Sequence, residues 1–515
     1  MSDPFYITTA IHYPNGRPHI GHAYEMIAAD AIARFQRQAG RDVFFQTGTD
    51  EHGLKMVKTA RDRGVDVRDL ADEMSGYFRD MAGILNISCD RFIRTVEPRH
   101  YAASQAIWNA MRDAGDLYLD RYEGWYSVRD EAFYEEKELT DGEGGARLSP
   151  QGTPVEWTAE ETWFFRLSKY QQPLLDFYAA NPDFIQPESR RNEVLRFVEG
   201  GLTDLSVSRT SFDWGVPVPD SPGHVMYVWV DALTNYLTGA GYPDAPNHYW
   251  PAALHLIGKD IVRFHAVYWP AFLMSAKLPL PHKVFGHGFL LNRGEKMSKS
   301  TGNVVDPIKL AELYGVDALR YFLLRDISFG QDGTFSDEAI VTRANSDLAN
   351  SFGNLAQRTL SFISKNLEGA LPQNGRSDPA DAVLLTAVGE AIDGYRAAFA
   401  ELALGQGLEA WMRGVFACNQ YIDVQAPWAL RKTDPERMHA VLGTLVRAIR
   451  DLAIAIEPVV PASAAALLGQ LGQSGRGHDA LGDDNWYDEQ RSAGFRMAPP
   501  SPIFPRLALA EVEPA

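Results

Sequence analysis

Two histidines three positions apart are the first residues whose types and spacing suggest chemistry. His19, Gly21 and His22 follow the turn YPNGRP (13–18), where a β-prone segment passes into a helical pattern. The first turn of a helix offers backbone N–H groups and the positive end of the helix dipole to an anion. Gly21 allows a ligand to approach the backbone closely, and both imidazoles can donate hydrogen bonds to phosphate. The motif therefore indicates an anion site, although two histidines in a helix cap can also be ordinary surface residues.

A second candidate is the loop RGEKMSKSTGN at 293–303. Lys296 and Lys299 lie there between Gly294 and Gly302. Two ammonium groups on a loop with flexible flanks are suited to closing over pyrophosphate. A single lysine cluster is more often a solvated run of charge. The occurrence of both motifs in one chain makes phosphate chemistry the better interpretation.

The segments around these motifs predict an α/β domain. FYITTAI (5–11) is β-prone, a helical pattern opens near Gly21, and VFFQTG (43–48) predicts a second strand. Strand, helix and strand at this spacing predict parallel pairing in a doubly wound nucleotide-binding sheet. The same α/β character returns at 224–233 and 254–262.

The remaining segments depart from that alternation. Residues 116–225 are rich in aromatics, glycine and proline, which predicts an insertion between two halves of the sheet domain. After residue 340 the pattern becomes helical, and an apolar stripe within 438–457 predicts the core of a helix bundle. Residues 469–503, rich in Gly, Asp and Pro, predict a loosely packed tail. The stripe consists of Val441, Leu442, Leu445, Val446, Ile449, Leu452 and Ile456.

Length and composition exclude several classes of protein. The chain has 515 residues, enough for three or four domains at about 100–200 residues each. Its net charge of −18 means that any contact with nucleic acid must come from a local basic patch. Cys89 and Cys418 are the only cysteines, which excludes a disulfide framework and a cysteine-rich zinc site. The sequence also lacks the motifs of P-loop kinases, dinucleotide-binding dehydrogenases, esterases and zincins.

Two further patterns concern location. The N-terminus MSDPFYITTA has neither the basic nor the apolar region of a signal peptide. The most apolar C-terminal stretch, 438–468, is interrupted by charged residues and is unsuited to spanning a membrane. We therefore expect a cytoplasmic protein without membrane contact.

The order of the two motifs within an α/β sheet resembles the class I aminoacyl-tRNA synthetases. Further strings resemble the methionyl-tRNA synthetase family over almost the whole chain. The resemblance implies a Rossmann-like catalytic domain with an inserted connective domain, followed by an all-α helix-bundle anticodon-binding domain. It also implies ATP-dependent activation of methionine and its transfer to tRNA. The strings are AIHYPNGRPHIGHAYE (10–25), TGTDEHG (47–53), YVWVDALTNY (227–236), IGKDIVRFH (257–265), HGFLLNRGEKMSKSTGN (287–303) and QAPW (425–428).

The resemblance implies a pocket for methionine. Asp50 would hold the α-ammonium, for which a carboxylate is the expected partner. A thioether packs well against aromatic edges, and the hydroxyl of Tyr13 or the ring of His265 can donate weakly to sulfur. Without the resemblance, Trp229 and Tyr236 would be interpreted as core aromatics. The implied pocket residues are Ala10, Ile11, Tyr13, Asp50, Trp229, Ala232, Tyr236, Ile261 and His265.

The resemblance also implies the catalytic and ATP-binding residues, with ATP and Mg²⁺ as cofactors. The catalytic residues would be His19, His22, Lys296 and Lys299. The ATP contacts would be Asn15, Gly16, His19, Gly21, His22, Gly258, Lys259, Asp260, Lys296 and Lys299.

In the helical part, NLAQR (354–358) and QAPW (425–428) match family positions that contact the anticodon. They imply that Asn354 and Arg358 hydrogen-bond a base edge and that Trp428 stacks on an unstacked base. Without the resemblance, an exposed Asn–Arg pair and a core tryptophan would be the better interpretation.

The insertion departs from the family. Many relatives carry a zinc knuckle there, built from two C-x-x-C pairs. This chain instead has SVRD (127–130) and SPQG (149–152). We therefore expect no zinc and no other metal site. The packing of aromatic side chains would hold the insertion together, and the candidates are Trp125, Tyr126, Phe133 and Trp157.

These interpretations divide the chain into six segments. We expect L-methionine, ATP and both initiator and elongator tRNA(Met) as partners, and a monomer, because no OB-type tRNA-binding domain is appended. The segments are 1–115, first half of the catalytic domain; 116–225, connective insertion; 226–290, second half; 291–345, the lysine loop and a stem-contact region; 346–468, anticodon-binding domain; and 469–515, tail.

Three alternatives remain open. A sibling synthetase for Ile, Val or Leu would usually carry a longer editing insertion, and the cysteine enzyme resembles a zinc-dependent design. A small-molecule nucleotidyltransferase shares the histidine motif but is much shorter. A non-catalytic tRNA-binding paralogue would differ in failing to form an aminoacyl-adenylate.

Overall fold

The computed structural model describes residues 3–127, 132–142, 145–244, 248–292, 294–297, 303–473, 477–483 and 485–509. Among them, six parallel strands form the central sheet. The strands are mostly apolar because helices cover both faces of the sheet. Ile7, for example, lies between Phe45 and Leu254 on its two neighbours. In spatial order the strands are β3 (Arg91–Arg94), β2 (Asp42–Thr49), β1 (Pro4–Thr9), β13 (Ala253–Gly258), β14 (Lys283–His287) and β9 (Ile185–Gln186).

The strand order reverses between β1 and β13. Chain segments leaving these two strands diverge, and ligands of doubly wound sheets bind in the crevice that results at the carboxyl ends. The expected strand–helix–strand unit is confirmed, with its helix beginning at Ile20. The helices of the sheet domain are α1 (Ile20–Gln38), α2 (Leu54–Arg63), α3 (Val67–Ile84), α4 (Pro98–Asp113), α7 (Val228–Gly239) and α8 (Trp269–Ser275).

The chain between α4 and α7 is the inserted region. Its main feature is a long antiparallel ribbon of β4 (Leu117–Ser127) and β8 (Glu156–Phe165). One of its strands, β9, pairs with β14, so the inserted region also contributes a strand to the central sheet. The other elements are β5 (Ala132–Tyr134), β6 (Thr140–Asp141), β7 (Arg147–Leu148), α5 (Gln171–Ala180), α6 (Glu188–Glu199), β10 (Leu205–Ser206), β11 (Ser208–Arg209) and β12 (Val225–Met226).

A small sheet follows β14 and carries the base of the lysine loop. β15 (Leu290–Asn292) pairs with β16 (Glu295–Lys296) and β17 (Gly333–Phe335). Between them lie α9 (Pro307–Tyr314) and α10 (Val316–Asp326), which pack towards α1.

The C-terminal part is helical, as expected. A continuous helical run leads into it through α11 (Asp337–Arg343), a π-helical segment (Ala344–Gly353) and α12 (Asn354–Asn366). The predicted apolar stripe lies on α16 and is buried throughout, which confirms the bundle core. The remaining helices are α13 (Pro379–Ala400), α14 (Leu404–Gln425), α15 (Pro427–Thr433), α16 (Pro435–Ile456), α17 (Pro461–Gln470) and α18 (Asn485–Ser492).

The expectation of a loosely packed tail over 469–503 is wrong. Trp486 and Tyr487 of α18 are buried against α16, where Arg450 and Arg447 lie over their rings at 4.9 and 4.0 Å. The Tyr487 hydroxyl also donates to the carbonyl of Pro372 at 2.8 Å. Two large aromatics bury enough apolar surface to hold a segment whose composition is typical of loops.

Within the described residues, no helix is long and apolar enough to cross a membrane.

Candidate active site

The first histidine motif caps α1. His19 is the N-cap residue, and its Nδ1 accepts from the backbone N–H of Gly21 at 3.1 Å. The Nδ1 of His22 accepts in turn from the N–H of His19, also at 3.1 Å. An accepting nitrogen carries no proton, so each neutral ring holds its proton on Nε2. The two rings stack at 3.8 Å and both present Nε2–H as the donor that a phosphate oxygen requires.

Gly21 is needed by this cap. A Cβ atom at that position would lie 2.9 Å from Cε1 of His19. A side chain would therefore displace the capping imidazole. The expected close approach of a ligand and the folding of His19 onto the helix both depend on the missing side chain.

His12 lies behind the motif. Its ring packs against Phe78 at 5.4 Å and His22 at 5.0 Å. Burial lowers the pKa of His12, so the ring is neutral. Its carbonyl accepts from the N–H of Asp50 at 2.9 Å. This backbone hydrogen bond therefore joins the segment after β1 to the segment after β2, which carries Asp50, the expected partner of the α-ammonium.

The lysine loop is closed at its base beside α1. The Asn292 side-chain amide donates to the carbonyl of Asn303 at 2.9 Å. Two residues further on, the carbonyl of Val305 accepts from the N–H of Ile20 at 3.0 Å. The ends of the loop thus meet at the start of the helix that His19 caps. Lys296 has its backbone on β16, and Lys299 lies outside the described residues.

The expected methionine residues come from several segments. Ala10 and Tyr236 share one core cluster, with Trp229 and Ile261 packed against it. Ala232 is buried in the same helix as Tyr236, and Ile11 is half-buried just after Ala10. Asp50 is buried after β2.

Tyr13 is another of the residues expected to bind methionine. It packs against a separate cluster around Met56, and its hydroxyl accepts from the Met56 N–H at 3.1 Å. The structure therefore places Tyr13 beside the first turn of α2, which follows Asp50 in the chain.

His265 and Tyr236 form a locked pair. The Nδ1 of His265 donates to the carbonyl of Ile261 at 3.0 Å, so Nε2 accepts from the Tyr236 hydroxyl at 2.6 Å. Burial lowers the pKa of His265 to about 4, which keeps the ring neutral. Both nitrogens are occupied in this arrangement, so His265 orients Tyr236 and has no N–H left for a sulfur atom.

Sequence reasoning missed the ring that faces Trp229. Phe264 stacks on Trp229 at 3.9 Å with an interplanar angle of 6°. Its position beside His265 in the string IGKDIVRFH was the available signal. The stack supplies an apolar, polarizable surface beside the buried pair of Tyr236 and His265.

The expected ATP residues after β13 lie at the adjacent strand end. Gly258 is the last residue of β13, and a Cβ there would lie 2.7 Å from Oδ1 of Asp260. The Lys259 ammonium pairs with Asp332 at 2.7 Å. Asn15 and Gly16 are half-buried in the turn before His19.

Sequence reasoning also missed the pair of His287 and Glu25, which lies next to these residues. His287, at the end of β14, lies 2.8 Å from Oε2 of Glu25 and 2.8 Å from the carbonyl oxygen of Gly288. The Gly288 carbonyl can only accept, and so can Glu25 when it is ionised, so a protonated ring donates to both. Burial works against this charge, but the hydrogen bond to Glu25 and its charge raise the pKa of His287 above the ordinary value.

In the insertion, the stretches SVRD (127–130) and SPQG (149–152) each contribute a hydroxyl group to a buried cluster. Oγ1 of Thr153 is 2.7 Å from Oγ of Ser127 and 2.8 Å from Oγ of Ser149, and all three residues are buried. Trp125 meets Trp157 edge-on at 5.5 Å, but Trp157 is 58% exposed. Of the other expected packing residues, Tyr126 lies near Arg209, and the side chain of Phe133 is not described.

The expected anticodon residues lie at the surface of the bundle. Arg358 and Trp428 line a cavity of about 260 Å³, and the Arg358 guanidinium lies 5.4 Å from the Trp428 ring. Trp428 is 47% exposed, so it is not a core residue. Asn354 is exposed one turn before Arg358. Sequence reasoning missed Asp423, which pairs with Arg358 at 2.7 Å.

Comparison with known proteins agrees with this architecture. The family model described as "tRNA synthetases class I (M)" matches residues 5–360. A second, "Anticodon binding domain of methionyl tRNA ligase", matches residues 371–513.

Individual relatives match over nearly the full length. The methionine–tRNA ligase of Brucella suis is 56% identical over 99% of both chains, and that of Mycobacterium bovis is 56% identical over 98% of both. The crystal structure of Mycobacterium tuberculosis methionyl-tRNA synthetase bound by methionyl-adenylate matches with a TM-score of 0.93 at 55% identity, over 98% of this chain and 100% of that one. The chain therefore belongs to the class I aminoacyl-tRNA synthetases and, within that class, to the methionine–tRNA ligases.

Proposed function

We propose that this chain activates L-methionine with ATP and transfers the methionyl group to initiator and elongator tRNA(Met), releasing AMP and pyrophosphate. The observation that carries this proposal is the contact between the histidine motif and the segment that follows the lysine loop. The N–H of Ile20 donates to Val305 at 3.0 Å, which brings the end of the lysine loop to the helix capped by His19. The strand order also reverses here, at the position where such sheets bind nucleotides.

In the first step, the methionine carboxylate attacks the α-phosphorus of ATP in line and pyrophosphate leaves. His19 and His22 donate from Nε2 to phosphate oxygens, and Lys296 and Lys299 neutralise the leaving pyrophosphate. The ATP is seated by Asn15, Gly16 and Gly21 on one side and by Gly258, Lys259 and Asp260 on the other. Little covalent chemistry falls to the protein, so catalysis is positioning and electrostatic stabilisation.

The amino acid is held at two points. The carboxylate of Asp50 receives the α-ammonium, and the side chain packs among apolar and aromatic groups. The wall around the thioether is formed by Ala10, Ile11, Tyr13, Trp229, Ala232, Tyr236, Ile261 and His265.

In the second step, the terminal ribose 2′-hydroxyl of tRNA attacks the methionyl-adenylate. Selection of tRNA takes place at the bundle, where Asn354 and Arg358 hydrogen-bond a base edge and Trp428 stacks on a base. The exposure of Trp428 beside a surface cavity supports this role.

Magnesium would be held chiefly by the ATP phosphates. Within the described part of the chain, no group of three or more His, Cys, Asp or Glu side chains is placed to hold a metal. This ion commonly binds through substrate phosphates with few protein ligands and neutralises their charge.

Zinc is not required in this proposal. This is supported by the buried cluster of Ser127, Ser149 and Thr153, whose hydroxyl groups hydrogen-bond one another. A hard hydroxyl set without thiolate or imidazole is a poor zinc site.

Charging of tRNA tests the function and the zinc independence together. We expect the chain to attach methionine to tRNA(Met) at the same rate with and without a zinc chelator, in excess Mg²⁺. A rate that falls with chelator and returns with added zinc would contradict the metal-free insertion. Absence of charging under both conditions would contradict the function.

We place this activity in the cytoplasm, where tRNA and ATP are available, and assign it to the monomer. Sedimentation at working concentration tests the oligomeric state.

A further inference from the structure

A buried carboxylate with no part in the proposed mechanism lies behind the methionine pocket. Asp231 on α7 is fully buried. Its Oδ2 is 2.6 Å from Nδ1 of His52, and its Oδ1 is 2.6 Å from Nε2 of His100. Although burial opposes ionisation, the charges and hydrogen bonds of His52 and His100 lower the pKa of Asp231 to about 2. An ionised carboxylate only accepts, so both imidazoles must donate to it.

The outer nitrogens of the two rings reach further elements. The Nε2 of His52 is 2.9 Å from the hydroxyl of Tyr101, and the Nδ1 of His100 is 3.0 Å from Oγ1 of Thr238. The cluster of Asp231, His52 and His100 therefore joins three segments: the loop after β2, helix α4 and helix α7.

Two of those segments carry the residues assigned to methionine. Asp50 precedes His52 by two positions, while Trp229 and Ala232 flank Asp231. The residue between Asp50 and His52 is also fixed, because Glu51 receives two hydrogen bonds from Arg94 at 2.7 and 2.6 Å. The residues assigned to phosphate binding lie in other segments, before α1 and after β13. Those segments contribute none of the hydrogen bonds described for the cluster.

We propose that His52 and His100, acting through Asp231, are positioning residues that fix the distance between the carboxylate of Asp50 and the aromatic wall at Trp229. They thereby set the affinity for methionine and leave the affinity for ATP unaffected. The proposal rests on the proposed function.

Substitution of His100 tests this role, because the hydrogen-bond partners of His100 are Asp231, Thr238 and Ser104, none of which is assigned to bind methionine. In His100→Met the donor to Asp231 is lost, whereas the Nε2 of Gln in His100→Gln can replace the imidazole Nε2. The measurement is methionine-dependent ATP–pyrophosphate exchange, with active sites counted by adenylate titration. We expect His100→Met to raise the KM for methionine about tenfold to a hundredfold, because small misplacements of binding groups are costly.

The pattern of the other constants distinguishes positioning from folding. The KM for ATP and the kcat per active site should stay within about threefold of the original chain. His100→Gln should restore most of the methionine KM. Thr238→Val, which removes only the outer contact of His100, should shift the methionine KM in the same direction by less.

Asp381→Asn provides a matched control. Asp381 is a buried carboxylate of the bundle, paired with Arg437 at 2.6 Å and bonded to Tyr421. Its loss should lower stability without changing either KM. The proposal is overturned if His100→Met behaves in the same way, or if it raises both KM values equally. A chain with its original sequence that gives no exchange with methionine would instead overturn the proposed function.

Discussion

A histidine at the start of a helix can accept a backbone N–H at one ring nitrogen and donate a hydrogen bond from the other. His19 and His22 each accept a backbone N–H at Nδ1, which places the proton on Nε2. A serine or aspartate would cap the helix equally well, but it would leave no N–H to donate. At the scale of residues, the motif is therefore explained by two requirements that one imidazole meets together, accepting at Nδ1 and donating at Nε2.

Lys299→Ala should remove one of the charges that stabilise the departing pyrophosphate. By analogy with the loss of a single preorganised donor, the barrier should rise by about 2.7–4 kcal/mol. The rate of adenylate formation should thus fall by about two orders of magnitude or more, while the affinity for methionine barely changes. Single-turnover kinetics measures both. Lys309→Ala, an exposed lysine of α9, is the control and should have no effect; an unchanged rate in Lys299→Ala would refute the assignment.

The imidazolium of His287 predicts a pH dependence of stability. A raised pKa in the folded chain contributes stabilisation that is complete below the unfolded value of about 6.5 and is lost as pH rises through the folded pKa. The free energy of unfolding of the original chain should therefore exceed that of His287→Asn by an amount that shrinks as pH rises above about 6.5. Denaturant unfolding at several pH values checks this, and a constant difference would contradict the charged ring.

At the scale of elements, one helical run joins the base of the lysine loop to the surface proposed to select tRNA. It leaves β17, beside the base of the loop, passes through the π-helical segment Ala344–Gly353 and continues as α12. Asn354 and Arg358 are on the first turns of α12. Such π-helical segments frequently occur at functional sites, since they shift the register of the side chains that follow.

Trp428→Ala tests the far end of this run. Loss of stacking on one base should cost about 1–3 kcal/mol, so kcat/KM for tRNA should fall roughly tenfold or more. Exchange without tRNA should be unchanged, because the residue is on α15, away from the ATP site. Phe416→Ala, which removes another exposed aromatic of the bundle, should leave both activities intact. Normal charging by Trp428→Ala would contradict the anticodon assignment.

Local patterns were sufficient for the elements and for the two motifs. The strand at 5–11, the helix from Ile20 and the stripe on α16 follow from periodicity, which depends only on near neighbours. The contacts of Asp231 do not follow from periodicity, because His52 and His100 are 179 and 131 positions away in the chain. The tail was misjudged for the same reason, since Trp486 and Tyr487 are stabilised by α16 and not by their loop-like surroundings.

At the scale of the whole molecule, one buried arginine joins the sheet domain to the bundle. Arg320 of α10 is fully buried and pairs with Asp30 in the middle of α1 at 2.7 Å. It also donates to the carbonyls of Leu85, Pro458 and Val459. The helix capped by His19 and the end of α16 are therefore held by one side chain.

Arg320→Met should destabilise the chain by about 3–5 kcal/mol, because it leaves the buried carboxylate of Asp30 without this partner. The double variant with Asp30→Asn should recover part of the loss. Arg343→Met breaks a partly exposed pair with Asp326 and should cost at most about 1 kcal/mol. Urea unfolding measures the stability of all three variants. Equal losses of stability for Arg320→Met and Arg343→Met would contradict the role of Arg320 in joining the sheet domain to the bundle.

The central claim is that this site activates methionine in particular. The most direct measurement is ATP–pyrophosphate exchange without tRNA, with Met, Ile, Leu, Val and Cys compared side by side. We predict strong exchange with methionine alone. Exchange with a different amino acid would assign the pocket to a sibling enzyme. Absence of exchange with all five amino acids would indicate a tRNA-binding protein without catalytic activity.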